Sequence, residues 1–255
     1  MAVHVTDDSG VRTVVLDRPE VRGAVDGKHA TLLREAFEEL EARDDLSVGI
    51  LTGSEGHFCA GADLKAVSSG RMPVFDPGEG PGPMGPTRLR LSKPVLAAVE
   101  GNAVAGGLEL AVWCDLRVAS ETAVFGVYCR RWGVPLIDGG TVRLPRLIGQ
   151  SRALDMILTG RGVEAPEALA MGLVNRMSAP GQALSEALEM AAQLAAFPQT
   201  CLRQDRLSLY EQDGQTLSAA MAIEWEHGMR TLTSADGLAG ASRFTSGEGR
   251  HGTFG

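Results

Sequence analysis

Short apolar runs alternate with longer amphipathic stretches along the first half of the chain. Residues 11–16 and 48–52 are apolar runs rich in β-branched side chains, which predicts buried strands. Between them, Leu32, Leu33, Phe37 and Leu40 recur at helical spacing, which predicts an amphipathic helix over 28–43. Further strand material is predicted at 94–99, 116–119 and 123–125. This alternation predicts an α/β domain whose helices cover a sheet.

The pattern from residue 151 onward is mainly helical. Apolar residues at helical spacing predict helices over 151–158, 165–171, 182–196, 199–210 and 215–232. Pro198 separates two of them, because proline does not continue a helix. We therefore predict an α/β core over 1–196 and a C-terminal helical region over 197–255. The glycine-rich tail, 245–255, is expected to gain order only against a neighbouring subunit.

Residues 70–86 are so rich in glycine and proline that regular structure is not expected there. Two interpretations stay open for this segment. It is either a lid or wall of a binding pocket, or a plain excursion over the surface.

Composition narrows the class of protein. The hydrophobic fraction of 44% suits a globular chain with one large core, and a formal charge of -8 argues against a nucleic-acid surface. No apolar run approaches the ~20 residues that cross a bilayer, and no secretory pattern is visible, so we expect a cytoplasmic protein without a membrane partner. The four cysteines form no C-x-x-C pair and the five histidines show no ligand spacing, so neither a metal nor a cofactor is expected.

Two glycine-centred segments, 58–64 and 101–110, fall where a strand is expected to give way to a helix. Backbone N–H groups at such a junction have no partner within the helix, and the helix dipole adds a partial positive charge. Two such turns, the second followed at once by Glu109, predict an oxyanion hole and chemistry on a carbonyl group. Other glycine motifs are incomplete: residues 23–28 are one residue short of a phosphate-binding loop, and Ser151 is expected to be a helix N-cap.

The stretches Phe58 to Lys65 and Gly106 to Ala111, with Cys114-Asp115, resemble the paired signatures of the crotonase (enoyl-CoA hydratase/isomerase) superfamily. The resemblance covers nearly the whole chain and includes Arg18-Pro19-Glu20, Phe125-Gly126, Gly139-Gly140-Thr141, Arg143-Leu144-Pro145, Ala168 and Gly172-Leu173-Val174. It implies a crotonase-like spiral of ββα units with a helical C-terminal trimerisation region. It also implies trimers or dimers of trimers, a place in fatty acid and lipid metabolism, and an acyl-CoA substrate that brings coenzyme A with it.

The same resemblance implies roles for individual residues. The N–H groups of Ala62 and Gly106 would bind the thioester oxygen, and Glu109 would be the catalytic acid or base. Arg22 and Lys65 would lie near the nucleotide part of coenzyme A, although solvated surface charge is the alternative for both. The substrate-binding positions implied are Arg22, Ala24, Ala60, Gly61, Asp63, Leu64, Lys65, Cys129 and Trp132.

The chain departs from the hydratase pattern at one position. Family hydratases carry a second glutamate 20 residues after the first, where this chain has Cys129, and a thiol is a poor partner for orienting water. Asp138 sits where dienoyl-CoA isomerases of the superfamily place an essential aspartate, although it could instead cap the following helix.

Three functions therefore stay open. The first is enoyl-CoA hydration, the default for the family. The second is a double-bond isomerase that uses Glu109 and Asp138, and the third is a non-catalytic acyl-CoA binding protein. The neighbouring cluster Tyr128, Arg130, Arg131 and Trp132 is expected to reshape the acyl pocket toward a polar or bulky acyl group.

Overall fold

A computed structural model describes residues 3–247. Its strands, in chain order, are β1 Val3–Asp8, β2 Val11–Leu16, β3 Val48–Gly53, β4 Val95–Val99, β5 Asn102–Val104, β6 Leu116–Ser120, β7 Val124–Gly126, β8 Gly162–Glu164 and β9 Arg176–Ser178. Its α-helices are α1 Gly27–Ala42, α2 Leu64–Ser68, α3 Gly106–Trp113, α4 Gly140–Ile148, α5 Gln150–Thr159, α6 Ala165–Ala170, α7 Ala183–Ala196, α8 Gln199–Glu211, α9 Leu217–Leu232 and α10 Ala235–Thr245. Short 3-10 turns cover Pro19–Val21, Pro86–Arg88 and Tyr128–Trp132.

Two sheets carry the fold. The larger has the strand order β1-β2-β3-β4-β6-β9 and is parallel apart from the β1–β2 hairpin; the smaller has the order β5-β7-β8. The chain passes from the larger sheet to the smaller at Gly101 between β4 and β5, and again between β6 and β7. The strands β4 and β5 are followed by α3, and β6 and β7 are followed by a 3-10 turn and α4, so the chain winds in ββα units.

Helices cover both faces of the larger sheet, as its apolar strands require. One face packs against α1 through Leu33, Phe37 and Leu40, and the other packs against α7 through Ala187 and Met190. Burial of each such large apolar side chain contributes about 1.5–3 kcal/mol. The strands between the two helices are consequently buried on both sides, as β3 and β4 show.

Most predicted elements are present, with bounds that differ by one or two residues. The segment 70–86 has turns and no regular helix or strand until the 3-10 turn that begins at Pro86. The prediction that Ser151 is a helix N-cap is wrong, because α5 begins at Gln150 and its N-cap is Gly149. Five elements were not predicted: β1, β5, β8, β9 and α10. β1 is an edge strand with five exposed residues out of six, β5, β8 and β9 have three residues each, and α10 contains Gly237 and Gly240.

The C-terminal helices dock on the core through a polar contact. Arg206 and Tyr210 of α8 both donate hydrogen bonds to Asp115 Oδ1, at 2.9 and 2.6 Å. Of the predicted tail, the structure describes only 245–247, in which Thr245 ends α10; the remainder lies outside the described residues. Within residues 3–247, no helix has both the length and the apolar character needed to span a membrane.

Candidate active site

The two glycine segments meet side by side. Cys59 N–H donates to Asn102 O at 2.9 Å, and Val104 N–H donates to Cys59 O at 3.1 Å. A Cβ atom on Gly61, whose φ is +97°, would lie 2.8 Å from Ala105 Cβ and 2.9 Å from Gly106 N. A Cβ atom on Gly107 would collide with the carbonyl oxygen of Cys59. Only glycine permits this approach, which brings the Ala62 and Gly106 peptides together.

The backbone around Ala62 is fixed while its own N–H stays unused. Val25 N–H donates to Gly61 O and Asp63 N–H donates to Val25 O, both at 2.8 Å. No hydrogen bond among the described residues is donated by the N–H of Ala62 or of Gly106. Gly106 is the first residue of α3, where N–H groups lack helical partners. Two unpaired donors therefore adjoin each other, as an oxyanion hole needs.

The sequence prediction of a strand before the first turn needs correction. β3 ends at Gly53, and residues 58–62 are instead held by two isolated bridges, Val25 to Ala62 and Cys59 to Ala103. The helix that follows, α2, has only five residues, and the Asp63 carboxylate caps it by accepting from Lys65 and Ala66 N–H at 3.0 and 3.3 Å.

Ala105, directly before Gly106, is held in a strained backbone conformation. Its φ is +54° and its ψ is -124°, a region that residues with a side chain rarely adopt. Such strain costs about 1–3 kcal/mol and persists only where the surroundings enforce it. Ala105 N–H donates to Gly126 O at 2.8 Å, and Ala105 O accepts from Glu109 N–H at 3.2 Å. The strain orients the peptide that carries the Gly106 N–H.

A cavity of about 540 Å³ opens over these donors. Its size falls within the range of about 300–1,000 Å³ that is usual for small-molecule sites. Its walls are mostly apolar, with a few polar groups. The lining residues are Arg22, Ala60, Ala62, Leu64, Val67, Met72, Val74, Pro83, Met84, Asn102, Val104, Ala105, Gly106, Glu109, Tyr128, Cys129, Trp132, Val134, Pro135, Ile137 and Asp138.

Glu109 lies in the first turn of α3 with its carboxyl group in the cavity wall. It is 2% exposed, and its Oε1 accepts hydrogen bonds from the N–H groups of Asp138 and Gly140, both at 2.8 Å. Its Oε2 accepts none from the described residues. Burial, followed by the negative charge of Asp138, raises the pKa of Glu109 to about 7, against the opposing effect of the two backbone hydrogen bonds. This carboxyl group can therefore both take and give a proton near neutral pH.

Asp138 is a second carboxyl group in the same wall, and it is not a helix cap. The N-cap of α4 is Gly139, whereas Asp138 Oδ1 accepts from Met84 N–H at 3.0 Å and from the Thr87 hydroxyl. The interpretation of Asp138 as an N-cap is therefore wrong. Burial is the largest influence on Asp138 and raises its pKa, although the Thr87 and Met84 hydrogen bonds oppose the rise.

Cys129 is the position at which the sequence departs from the expected hydratase pattern. Cys129 lies in the 3-10 turn Tyr128–Trp132, is buried, and lines the cavity. Burial raises the pKa of this thiol, and the nearby charge of Glu109 acts in the same direction. The group is consequently a neutral thiol at physiological pH and supplies no charge to the site.

Comparison with known proteins decides the family. The profile described as enoyl-CoA hydratase/isomerase matches residues 6–250. The chain belongs to the enoyl-CoA hydratase/isomerase family. Enoyl-CoA hydratase EchA19 of Mycobacterium tuberculosis is 36% identical over 238 residues, covering 91% of this chain and 88% of that protein. Carnitinyl-CoA dehydratase of Salmonella paratyphi A is 39% identical over 195 residues, covering 76% of this chain and 74% of that protein.

Solved structures agree with the fold. A crystal structure of enoyl-CoA hydratase from Mycobacterium tuberculosis has a TM-score of 0.91 at 34% identity, and each chain covers 96% of the other. A structure of enoyl-CoA hydratase EchA1 from Mycobacterium marinum gives the same score and coverage at 36% identity. The predicted crotonase-like α/β fold is thereby confirmed.

The remaining predicted site residues of this family member divide into two groups. Arg22, Ala60, Leu64 and Trp132 line the cavity. Four others do not: Gly61 supports the turn, Asp63 caps α2, the Ala24 carbonyl accepts from Arg18 at 2.6 Å, and Lys65 is exposed. Roles for the second group in binding substrate stay predictions.

Both arginines of the predicted aromatic and cationic cluster lie outside the cavity lining. Arg130 donates to Ile157 O at 3.1 Å and Arg131 donates to Gly160 O at 2.9 Å, so both bind carbonyls at the end of α5. An apolar wall lines the cavity instead. The segment 70–86, for which a pocket wall was one of the two interpretations, supplies Met72, Val74, Pro83 and Met84 to it. The sequence analysis missed its other members, Val134, Pro135 and Ile137. Within residues 3–247, no group of three His, Cys, Asp or Glu side chains could hold a metal ion.

Proposed function

We propose that this protein forms the enolate of an acyl-CoA thioester and moves protons along its acyl chain. One observation carries the proposal: two unpaired N–H groups, of Ala62 and Gly106, line the same cavity as Glu109, whose pKa is raised to about 7. The family and the printed activities of the relatives support acyl-CoA as the substrate.

The thioester oxygen would accept hydrogen bonds from the two N–H groups. Removal of an α-proton places negative charge on that oxygen, and donors already fixed in place stabilise the charge without reorganising. Each such donor is worth about 10²–10³ in rate in comparable enzymes. Glu109 would take the proton, because its raised pKa makes the carboxylate a stronger base while leaving much of it ionised near pH 7.

The reaction best supported is the shift of a double bond. In a 3-enoyl-CoA, Glu109 would take a proton from C2 and the electrons would delocalise as a dienolate. Asp138, whose pKa is raised by burial, would in its protonated form give a proton to C4, which leaves the double bond between C2 and C3. Glu109 gains one proton and Asp138 loses one, and exchange with solvent restores both. Two carboxyl groups in one wall support this division of labour.

Hydration is the second candidate, favoured by the names of the relatives, a hydratase and a dehydratase. The second carboxylate that family hydratases use is absent, because Cys129 is a neutral thiol. Hydration by this chain would therefore require Asp138 or Glu109 itself to orient the water. We expect it to be slower than the isomerisation.

Assembly, coenzyme A binding and compartment are further parts of the proposal. Large exposed apolar side chains on the last two helices support a trimer or a dimer of trimers: Leu217, Met221, Trp225, Leu232, Leu238 and Phe244. Arg22 lines the cavity beside Ala60, which supports a contact with coenzyme A. All four cysteines are free thiols, which supports a reducing, cytoplasmic compartment. No separate cofactor is proposed.

Proton exchange tests the proposal independently of the final product. The protein is incubated with a saturated acyl-CoA in deuterium oxide, and deuterium at the α-carbon is measured by mass spectrometry. We expect exchange with the native protein, little with Glu109→Gln, and native exchange with Glu189→Gln, an exposed glutamate on α7. Tight acyl-CoA binding without any exchange would instead support the non-catalytic binding protein.

Paired substrate assays then separate the two reactions. Conversion of a 3-enoyl-CoA into a 2-enoyl-CoA raises the ultraviolet absorbance of the conjugated thioester, and hydration of a 2-enoyl-CoA lowers it. We expect the first reaction to be faster and Asp138→Asn to slow it. Rapid hydration that survives Asp138→Asn would reverse the assignment.

A further inference from the structure

The walls next to the two carboxyl groups differ from the rest of the cavity. Met84 N–H is bound to Asp138, and Val134, Pro135 and Ile137 directly precede Asp138 in the chain. These side chains, with Val74, are apolar and line the cavity. Arg22, the one cation in the described lining, adjoins Ala60 instead, whose N–H donates to Arg22 O at 3.0 Å.

Anionic acyl groups find no cationic partner in this part of the cavity. Arg130 and Arg131 are occupied by the carbonyls at the end of α5. An anionic acyl group would therefore lose its hydration without gaining an ion pair. A cationic acyl group finds only Glu109 and Asp138 as anionic partners in the described lining, and beyond them the guanidinium carbon of Arg131 already lies 3.9 Å from the centre of the Tyr128 ring. That contact already uses the aromatic surface on which a cation would otherwise rest.

The apolar wall continues outward into an exposed rim. Trp132, Val74 and Ile137 line the cavity and are nevertheless 72%, 62% and 42% exposed. Large apolar side chains that cluster at a cavity mouth indicate contact with an apolar surface. A four-carbon acyl group is a small part of what a cavity of about 540 Å³ can enclose, and it would leave these side chains in water.

We propose that the acyl group of the substrate is a large uncharged hydrocarbon that extends past the carboxyl pair to the rim formed by Trp132, Val74 and Ile137. This inference rests on the proposed function and specifies its substrate class. Trp132 is then a specificity-determining residue that contacts the distal part of the acyl chain. Each methylene that enters an apolar wall strengthens binding by up to about fourfold.

A chain-length series tests the inference. The specificity constant kcat/KM is measured for unbranched enoyl-CoA substrates of four, six, eight and ten carbons, and for a five-carbon enoyl-CoA whose acyl group ends in a carboxylate. We expect kcat/KM to rise about tenfold or more from four to ten carbons. We expect the carboxylate-bearing substrate to be poorer than the uncharged four-carbon substrate. Trp132→Ala should lower the ratio of the ten-carbon to the four-carbon value by about fivefold or more.

Phe197→Ala provides the matched control, because Phe197 is an aromatic side chain that is 46% exposed directly after α7 and does not line the cavity. It should leave the ratio unchanged. A flat chain-length series, or better turnover of the carboxylate-bearing substrate, would overturn the inference. So would Trp132→Ala if it changed the oligomeric state by sedimentation but not the ratio, since a second copy of the chain would then cover the rim. Absence of both turnover and α-proton exchange with every acyl-CoA would instead refute the proposed function.

Discussion

Replacing Glu109 with glutamine should make the fold more stable above neutral pH while abolishing proton transfer. Glutamine keeps an oxygen that can accept from the N–H groups of Asp138 and Gly140, so the geometry of the wall is retained. What changes is the charge. Glu109 is 2% exposed, and the ionised form is disfavoured by burial and by Asp138. Ionisation of Glu109 therefore lowers the free energy of unfolding of the native protein, and the glutamine variant has no such charge.

The magnitude follows from the pKa. A carboxyl group whose pKa is raised on folding from 4.5 to about 7 contributes stability that is fully present below the unfolded pKa and is lost as pH rises through the folded one. For a pKa rise of this size, the total loss in the free energy of unfolding is about 3.4 kcal/mol. Between pH 5 and pH 8, the advantage of Glu109→Gln over the native protein should grow by about 2.5 kcal/mol.

Urea unfolding at the two pH values measures this difference, with the protomer concentration held constant because assembly would also shift the transition. Glu189→Gln on α7 is the control, and its effect should be small and nearly the same at both pH values. A Glu109→Gln advantage that is equal at pH 5 and pH 8 would refute the reasoning. It would mean that Glu109 ionises as easily in the fold as in the unfolded chain.

Three further predictions concern activity. The rate of α-proton exchange should rise with pH up to about 7 and then level off, because the base form of Glu109 increases as pH passes its pKa; a rise centred near 4.5 would contradict the assignment. Gly61→Ala should lower kcat by about 10²–10³, because the new Cβ would crowd Ala105 and Gly106 N and move one donor, whereas Gly56→Ala, which is equally left-handed but has open space, should not. Arg143 donates to the carbonyls of Asp138 and Thr87 at 2.9 and 2.7 Å, and its charge lowers the pKa of Glu109. Arg143→Met should therefore reduce kcat/KM about tenfold or more and move the rising limb of the pH–rate profile to higher pH. Arg143→Lys, which keeps the charge, should reduce kcat/KM without moving that limb.

The local pattern of apolar and polar residues was enough to predict the helices and strands that have strong periodicity. The strand at 11–16 and the helix at 28–43 were predicted to within a residue, because their buried side chains recur at the spacing of a strand or a helix. β1 and α10 lacked such a signal, since one is an exposed edge strand and the other contains two glycines. The role expected of Ser151 failed because a glycine before it occupied the cap position.

The sequence by itself determined the family and the position of the two glycine turns, because glycine at 61 and 107 is a requirement of the backbone that shows in the residue type. It could not determine how Glu109 and Asp138 share one wall, since they are 29 residues apart and are joined through backbone N–H groups. Only the tertiary structure shows that Arg130 and Arg131 lie outside the cavity lining and that Met84 and Val134 belong to it. Burial then sets the proton affinity of the carboxyl groups, and burial is a property of the packed chain rather than of any one residue.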